Sequence, residues 1–287
     1  MEVISDPLGW QEAMEAARRR GQQVGLVPTM GSLHAGHLSL VRRARADCDL
    51  VAVTNYVNPL QFGAGEDLEA YPRDLEADAT MAASVGADVM FAPSVEEMWP
   101  VAPGTTVHVA GISDVLEGEC RPGHLDGVAT IVAKLLSLAG QCRAYFGEKD
   151  FQQLVVIRRM ARDLSLPVCI VGCPIVRTTD GLALSSRNAY LSSDELDAAP
   201  SLYWSLLAGK RAIEDRGETD PAIVAKEMES ALGRQPHFSL EYAAVVDPET
   251  LEVPVRAEAP VRLLIAARLG RARLIDNLAA APPGASE

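Results

Sequence analysis

Short apolar runs alternate with helical segments along the first 176 residues, and this alternation limits the fold more than any other feature of the chain. The runs "VGLVP", "DLVAVTNYV", "DVMFAP", "RAYFG" and "PVCIVGCPIV" lack the period-two pattern of a sheet wetted on one face. Each reads as a strand covered on both sides. Asp6-Pro7 is a cap followed by proline at the first helical position, opening a helix to about Arg20. Further helices are expected over 36–46, over 73–85, along "GVATIVAKLLSLAG" and along "DFQQLVVIRRMARDL". Strands separated by helices at this spacing build βαβ units and a parallel sheet.

The pattern changes after about Val176. "TTDGLALSSRNAYLSSDEL" is a polar connection. Helical patterns follow over 193–215 and 220–232, then "SLEYAAVVDP" and "VRLLIAARLGRARLIDN" suggest antiparallel strands with a turn near Gly270. The expected division is a domain over 1–176 and a smaller α+β domain over 177–287, with the tail from about 281 disordered.

In open α/β sheets, ligands sit at the carboxyl ends of the strands. The notable polar segments fall there: "TMGSLHAGH", "NPLQFG" and "GEKDFQQ". In the first, Gly31 and Gly36 permit tight turning, and His34 and His37 share one side of a helix start. Helix N-termini attract phosphate, to which two imidazoles can donate hydrogen bonds. His-x-x-His also pairs metal ligands, although no further ligand is adjacent in sequence.

Lys149 is a flexible cation suited to phosphate, and Asp150 caps the next helix or meets a ribose hydroxyl. Gln152 and Gln153 open that helix, where an amide can read a carboxylate or hydroxyl. Ser185, Ser186 and Arg187 suit a polyphosphate, or form a polar linker. Asn58 and Gln61 are neutral donor–acceptor groups, and Arg121 can neutralise an anion; each also suits a turn bonding its own backbone. Asp74, Glu76 and Asp78 read as a solvated helix face, and "SVEEMW" as a capped helical turn. Together the clusters point to a nucleoside triphosphate site that uses neither a GxxxxGK[ST] loop nor GxGxxG.

A net charge of −13 argues against a nucleic-acid partner, yet a local basic cleft can still hold a small anion. No apolar run reaches the ~20 residues of a membrane helix. "MEVISDPLGW" lacks the features of a signal peptide, so a cytoplasmic location is expected. Five cysteines without CxxC spacing read as free thiols.

The segments "PTMGSLHAGHLSLVRRA", "YVNPLQFG", "GEDLEAYPRDLEAD", "FAPSVEEMWP", "LEGECRPGHLDGV", "YFGEKDFQQL" and "DGLALSSRNAYLS" together resemble the pantothenate synthetases, the pantoate–β-alanine ligases of coenzyme A biosynthesis. The resemblance covers most of 24–193 in order and spacing, and the C-terminal third is less diagnostic. The chain departs from the pattern at Asn55, where the strand usually carries an apolar residue, at Leu125, where Phe is common, and at Thr178, where Glu is common.

The resemblance implies a Rossmann-like N-terminal domain of the class I nucleotidylyltransferase and synthetase type, with the smaller α+β domain as a lid. His34-Ala-Gly-His37 looks like a HIGH-type motif, and Ser185-Ser186-Arg187 takes the place of a KMSKS-type loop. The reaction implied has two halves: pantoate attacks ATP to give pantoyl adenylate and pyrophosphate, then β-alanine displaces AMP. By the same resemblance, catalysis falls to His37, His34, Lys149 and Arg187. ATP would be lined by Met30, Gly31, Ser32, Leu33, His34, Ala35, Gly36, His37, Gly147, Glu148, Lys149, Asp150, Val176, Leu184, Ser185, Ser186 and Arg187. Pantoate and β-alanine would meet Gln61, Gln153, Asn58 and Arg121. Magnesium is expected to arrive mainly through the ATP phosphates. A homodimer is implied, with no nucleic-acid or membrane partner.

Overall fold

A computed structural model describes residues 1–63, 65–66, 68–235 and 237–284. The chain divides into two units, Met1–Glu148 with Gln152–Pro174, and Lys149–Phe151 with Ile175–Glu287. The second unit therefore takes up Lys149–Phe151, Ile175 and Val176 from the stretch expected to lie wholly in the first domain.

The first unit alternates strand and helix in order: β1 (Glu2–Ile4), α1 (Pro7–Arg19), β2 (Val24–Thr29), α2 (Ala35–Asp47), β3 (Leu50–Asn55), α3 (Leu75–Ser84), β4 (Val89–Phe91), α4 (Val95–Met98), α5 (Glu117–Cys120), α6 (His124–Ala139), β5 (Cys142–Gly147), α7 (Phe151–Asp163, its first residue grouped with the second unit) and β6 (Val168–Cys173). Asp6 caps α1 by accepting from Gly9 N at 2.6 Å, and Ser94 and Glu97 form a reciprocal capping box on α4.

The six strands form a parallel sheet in the order β1-β4-β3-β2-β5-β6. β1 was not expected from sequence; its three residues pair with Val89–Phe91. Val27, Val41, Val51, Val53, Met90 and Tyr145 pack one apolar cluster of this unit.

The chain runs outward from β2 to β3 and β4, then crosses to β5 on the other side of β2. The reversal makes the carboxyl ends of β2 and β5 the switch point of the sheet. Pairing between these strands stops at Leu26↔Ala144, although β5 continues beside β6 to Gly147. Pro28 lies just past that last pair and brings no N–H for a ladder bond. The two strands are thus unpaired where the His34–His37 loop leaves the sheet.

The second unit holds α8 (Ser193–Ala198), α9 (Ser201–Glu214), α10 (Pro221–Leu232) and the strands β7 (Phe238–Val246), β8 (Val261–Leu269) and β9 (Ala272–Ala280), paired antiparallel in chain order. The helix expected over 193–215 is two helices, divided at Ala199-Pro200, because proline offers no N–H to the turn before it. Leu206, Ile213, Met228, Leu263 and Ile265 are among its core residues. Of the expected disordered tail, residues 285–287 lie outside the described residues, and Ala281 N donates to Glu214 Oε1 at 3.1 Å.

Candidate active site

The loop between β2 and α2 begins at the switch point. Gly31 has φ +82°, and Ser32 follows at φ +51°, a left-handed value that is uncommon outside glycine. The Gly31 N–H turns back to Thr29 Oγ1 at 3.2 Å. Ser32 N donates to Asp78 Oδ2 at 2.9 Å, and Leu33 N to Asp78 Oδ1 at 2.7 Å. Asp78 departs from its expected place on a solvated face of α3: it is only 2% exposed. The loop N–H groups of Ser32 and Leu33 are thus engaged within the protein, so any contact these two residues make to a nucleotide comes from other atoms.

His34 is the N-cap of α2 and accepts from Gly36 N through Nδ1 at 3.1 Å. His37 Nδ1 in turn accepts from His34 N at 3.4 Å, completing a capping box built from two imidazoles. A backbone N–H can only donate, so this network assigns both Nδ1 atoms as acceptors. The ring proton of each neutral imidazole then sits on Nε2. The rings lie 4.2 Å apart between centroids, tilted by 43°. Sequence placed both histidines at the helix start; the structure shows that they also cap it.

Asn58 caps the short 3-10 turn Pro59–Gln61 through Oδ1, which accepts from Leu60 N at 3.3 Å. Its Nδ2 donates to Gln61 Oε1 at 3.2 Å and to Gly127 O at 3.1 Å. Gln61 Nε2 reaches Met30 Sδ at 3.0 Å, which joins it to the histidine loop. Gly127 is required by this packing, since a Cβ there would lie 2.1 Å from Leu60 O. Asn58 is 1% exposed and spends its amide on these bonds. It is built to hold Gln61 rather than to meet a substrate.

Arg121 likewise has a carboxylate of its own. Its Nε and Nη2 each lie 2.7 Å from a Glu66 oxygen, a bidentate pair that occupies the fork expected to meet a substrate anion. The hydrogen bonds from Arg121 hold Glu66 well below the usual carboxylate range, at about 2. His124 sits beside this pair with Nδ1 2.8 Å from Gln61 O. Burial, aided by the Arg121 charge, brings its imidazole down to about 4, so the ring is neutral and Nδ1 carries the proton.

Gln152 does not open toward a ligand. Its Oε1 accepts from Glu117 N at 3.0 Å, and its Nε2 donates to Ile112 O and Val115 O, each at 2.8 Å. Gln153, half-buried in the first turn of α7, has no such bonds among the described residues. Gly147 ends β5, and Glu148 begins the 3-10 turn that follows.

In the second unit, Lys149 Nζ lies 3.5 Å from Asp150 Oδ1. The Lys149 carbonyl accepts from Asn277 Nδ2 at 2.8 Å, and Asn277 Oδ1 accepts from Arg262 Nε at 2.7 Å. Arg262 also stacks over Phe151, 4.2 Å from the ring centroid. These contacts explain why Lys149–Phe151 group with this unit. Arg177 pairs with Asp276 at 2.6 and 2.8 Å. Leu184 N donates to Val176 O at 2.9 Å, which sets these two expected nucleotide-lining residues side by side. Ser185 Oγ accepts from Arg187 N at 3.3 Å and caps the 3-10 turn Ser186–Tyr190.

The family model described as Pantoate-beta-alanine ligase matches residues 2–279. This chain belongs to the pantoate–β-alanine ligase family. Curated relatives include the pantothenate synthetase of Rubrobacter xylanophilus, 52% identical over 96% of this chain and 98% of that protein. That of Moorella thermoacetica is 46% identical over 97% and 98%. Among solved structures, pantothenate synthetase from Thermus thermophilus is 48% identical with a TM-score of 0.92, covering 98% of this chain and all of that one. The pantoate–β-alanine ligase of Francisella tularensis, crystallised with beta-gamma ATP and beta-alanine, is 31% identical with a TM-score of 0.80 over 97% of each chain.

Sequence reasoning missed three parts of these sites: Asp78, Glu66 and the Asp276-Asn277 pair. Only the last left a visible signal, two adjacent polar residues inside the otherwise largely apolar "RLIDNLAA".

Proposed function

We propose that this chain condenses pantoate with β-alanine at the expense of ATP, through a pantoyl adenylate, releasing pyrophosphate and then AMP. The imidazole capping box carries the reading. It presents two Nε2–H donors at the switch point of a parallel sheet, where a pyrophosphate leaving group can be held. A carboxylate attacks an anionic phosphate poorly, so alignment and charge neutralisation supply most of the rate. His34 and His37 donate to phosphate oxygens; the family resemblance adds Lys149 and Arg187 as cations for the β- and γ-phosphates and the Ser186 hydroxyl as a hydrogen-bond donor. Gln61, fixed by Asn58, and Gln153 bind pantoate, and neutral amides meet its hydroxyls and carboxylate without a buried charge to desolvate.

No enzyme-bound covalent intermediate is needed. Burial raises the Cys48, Cys142 and Cys173 thiols, Cys142 to about 12, which disfavours thiolate at neutral pH. Among the described residues no group of three or more His, Cys, Asp or Glu is placed to hold a metal ion. By the family resemblance, magnesium, which offsets phosphate charge, would be bound mainly through the oxygens of ATP itself. The family resemblance supports a cytoplasmic homodimer, checked by light scattering of the purified chain. No helix among the described residues is long and apolar enough to cross a membrane.

Pyrophosphate release from ATP and magnesium, measured with and without pantoate, tests the first half-reaction. Adding β-alanine should then give AMP and pantothenate. Pyrophosphate that appears only with a different acceptor would overturn the assignment in favour of another nucleotidylyltransferase.

A further inference from the structure

We propose that Asn55 and Asp78 are positioning residues for the nucleotide loop, an inference that rests on the reading of that loop as the ATP site. The turn at Gly31 and Ser32 brings the backbone N–H groups of Ser32 and Leu33 toward one point. A concavity of backbone N–H groups ordinarily binds an anion. Here the anion belongs to the protein: the Asp78 carboxylate takes the N–H of Ser32 and of Leu33, one on each oxygen. His34, the residue after Leu33, begins the imidazole capping box. The carboxylate therefore fixes the Gly31–Ser32 and Ser32–Leu33 peptides on the way to the first ring.

A buried carboxylate is costly unless hydrogen bonds satisfy it. The third donor to Asp78 is the Asn55 side chain, with Nδ2 2.9 Å from Oδ2. Asn55 is the last residue of β3 and pairs with Thr29, the last residue of β2, so it stands beside the exit of the loop. Its other amide atom, Oδ1, lies 2.5 Å from where a Cβ on Gly31 would be. Asn55 thus holds the carboxylate from one side and occupies the space beside Gly31. An apolar residue at this place would leave Asp78 Oδ2 with the Ser32 N–H alone. The expected consequence is a loop free to shift, with the His34 and His37 donors off their phosphate positions, while Asn58, bonded to Gly127 O, still holds the Gln61 amide.

The test compares wild type with Asn55→Leu. ATP and pantoate dissociation constants are measured by calorimetry, and pantoate-dependent ATP–pyrophosphate exchange on the same preparations. Removing one hydrogen bond to a charged group predicts about tenfold weaker ATP binding. Pantoate affinity should stay within about twofold, well inside the ~1.4 kcal/mol of a tenfold change. Asn55→Ala, which only removes atoms, should show the same split. Asp78→Asn leaves one of the two backbone N–H groups without its acceptor and should weaken ATP binding further. Unchanged ATP affinity in the Asn55 variants, or equal losses for both ligands, overturns the inference whatever the wild type catalyses. Wild type that binds ATP yet shows no exchange with pantoate defeats the functional reading alone, and the ATP constants still decide the role of Asn55.

Discussion

Asn58 and Gln61 are joined amide to amide, with Nδ2 of the first 3.2 Å from Oε1 of the second. The bond fixes which end of the Gln61 amide points toward Met30. Asn58→Asp would face Gln61 Oε1 and Gly127 O with an acceptor in place of a donor. We expect the KM for pantoate to rise by about tenfold and stability to fall by about 1–3 kcal/mol, the cost of unsatisfied buried groups. Steady-state kinetics and urea unfolding check both, and an unchanged pantoate KM would remove Gln61 from the pantoate site.

His124 gives the protein a pH dependence of known sign. Its folded pKa of about 4 lies below the ordinary 6.5 because the neutral ring is buried. Between those values the unfolded chain binds more protons, so stability is full above pH 6.5 and falls as pH drops toward 4. The loss is on the order of 3 kcal/mol. His124→Gln should flatten this part of the stability curve in urea titrations at successive pH values; an unaltered slope would show that another group is responsible.

Glu66 acts in a lower window. Arg121 holds it at about 2 against an ordinary 4.5, so its contribution is present above pH 4.5 and lost as pH falls toward 2. Glu66→Gln should destabilise the protein at pH 7 by about 2 kcal/mol, through loss of a charged hydrogen-bonded pair. The difference from wild type should shrink as the buffer is taken from pH 4.5 to 3.

His37→Ala should lower the adenylation rate by about a hundredfold or more, with pantoate affinity nearly unchanged. His37→Gln keeps an N–H donor but cannot supply a proton. If the ring serves as an Nε2–H hydrogen-bond donor, in the tautomer its capping bond assigns, the glutamine variant should retain about a tenth of the rate or more. Rapid-quench measurement of pyrophosphate distinguishes the two roles: glutamine no better than alanine would mean proton transfer.

Gly31→Ala places a side chain at φ +82° and a Cβ 2.5 Å from Asn55 Oδ1. Left-handed strain alone is worth about 1–2 kcal/mol, and the contact adds to it. Calorimetric unfolding should show a lower Tm, and Asn55→Ala in the same chain should recover part of the loss by removing the obstructing oxygen.

The sheet was legible because strands buried on both faces appear as unbroken apolar runs, and the histidine loop because its glycines and rings are contiguous. Asp78 was not. Asp74, Glu76 and Asp78 carry the same charge on one helix, and only the turn at Ser32, 46 residues earlier, separates the buried one from its neighbours. Main-chain N–H groups leave no mark in a sequence, so a carboxylate that serves them looks like any other. β1 was missed for a related reason: three residues gain their identity from pairing with Val89–Phe91. Arg121 looked available because its partner Glu66 lies 55 residues away in a turn-rich segment.

The Ser32 and Leu33 peptides are satisfied by Asp78, from within the protein. The conformational entropy of this turn is therefore surrendered once, as the chain folds, and is not surrendered again at each turnover. On the proposed reading, ATP would meet a loop already in its working shape, and its binding energy would be left for the phosphates.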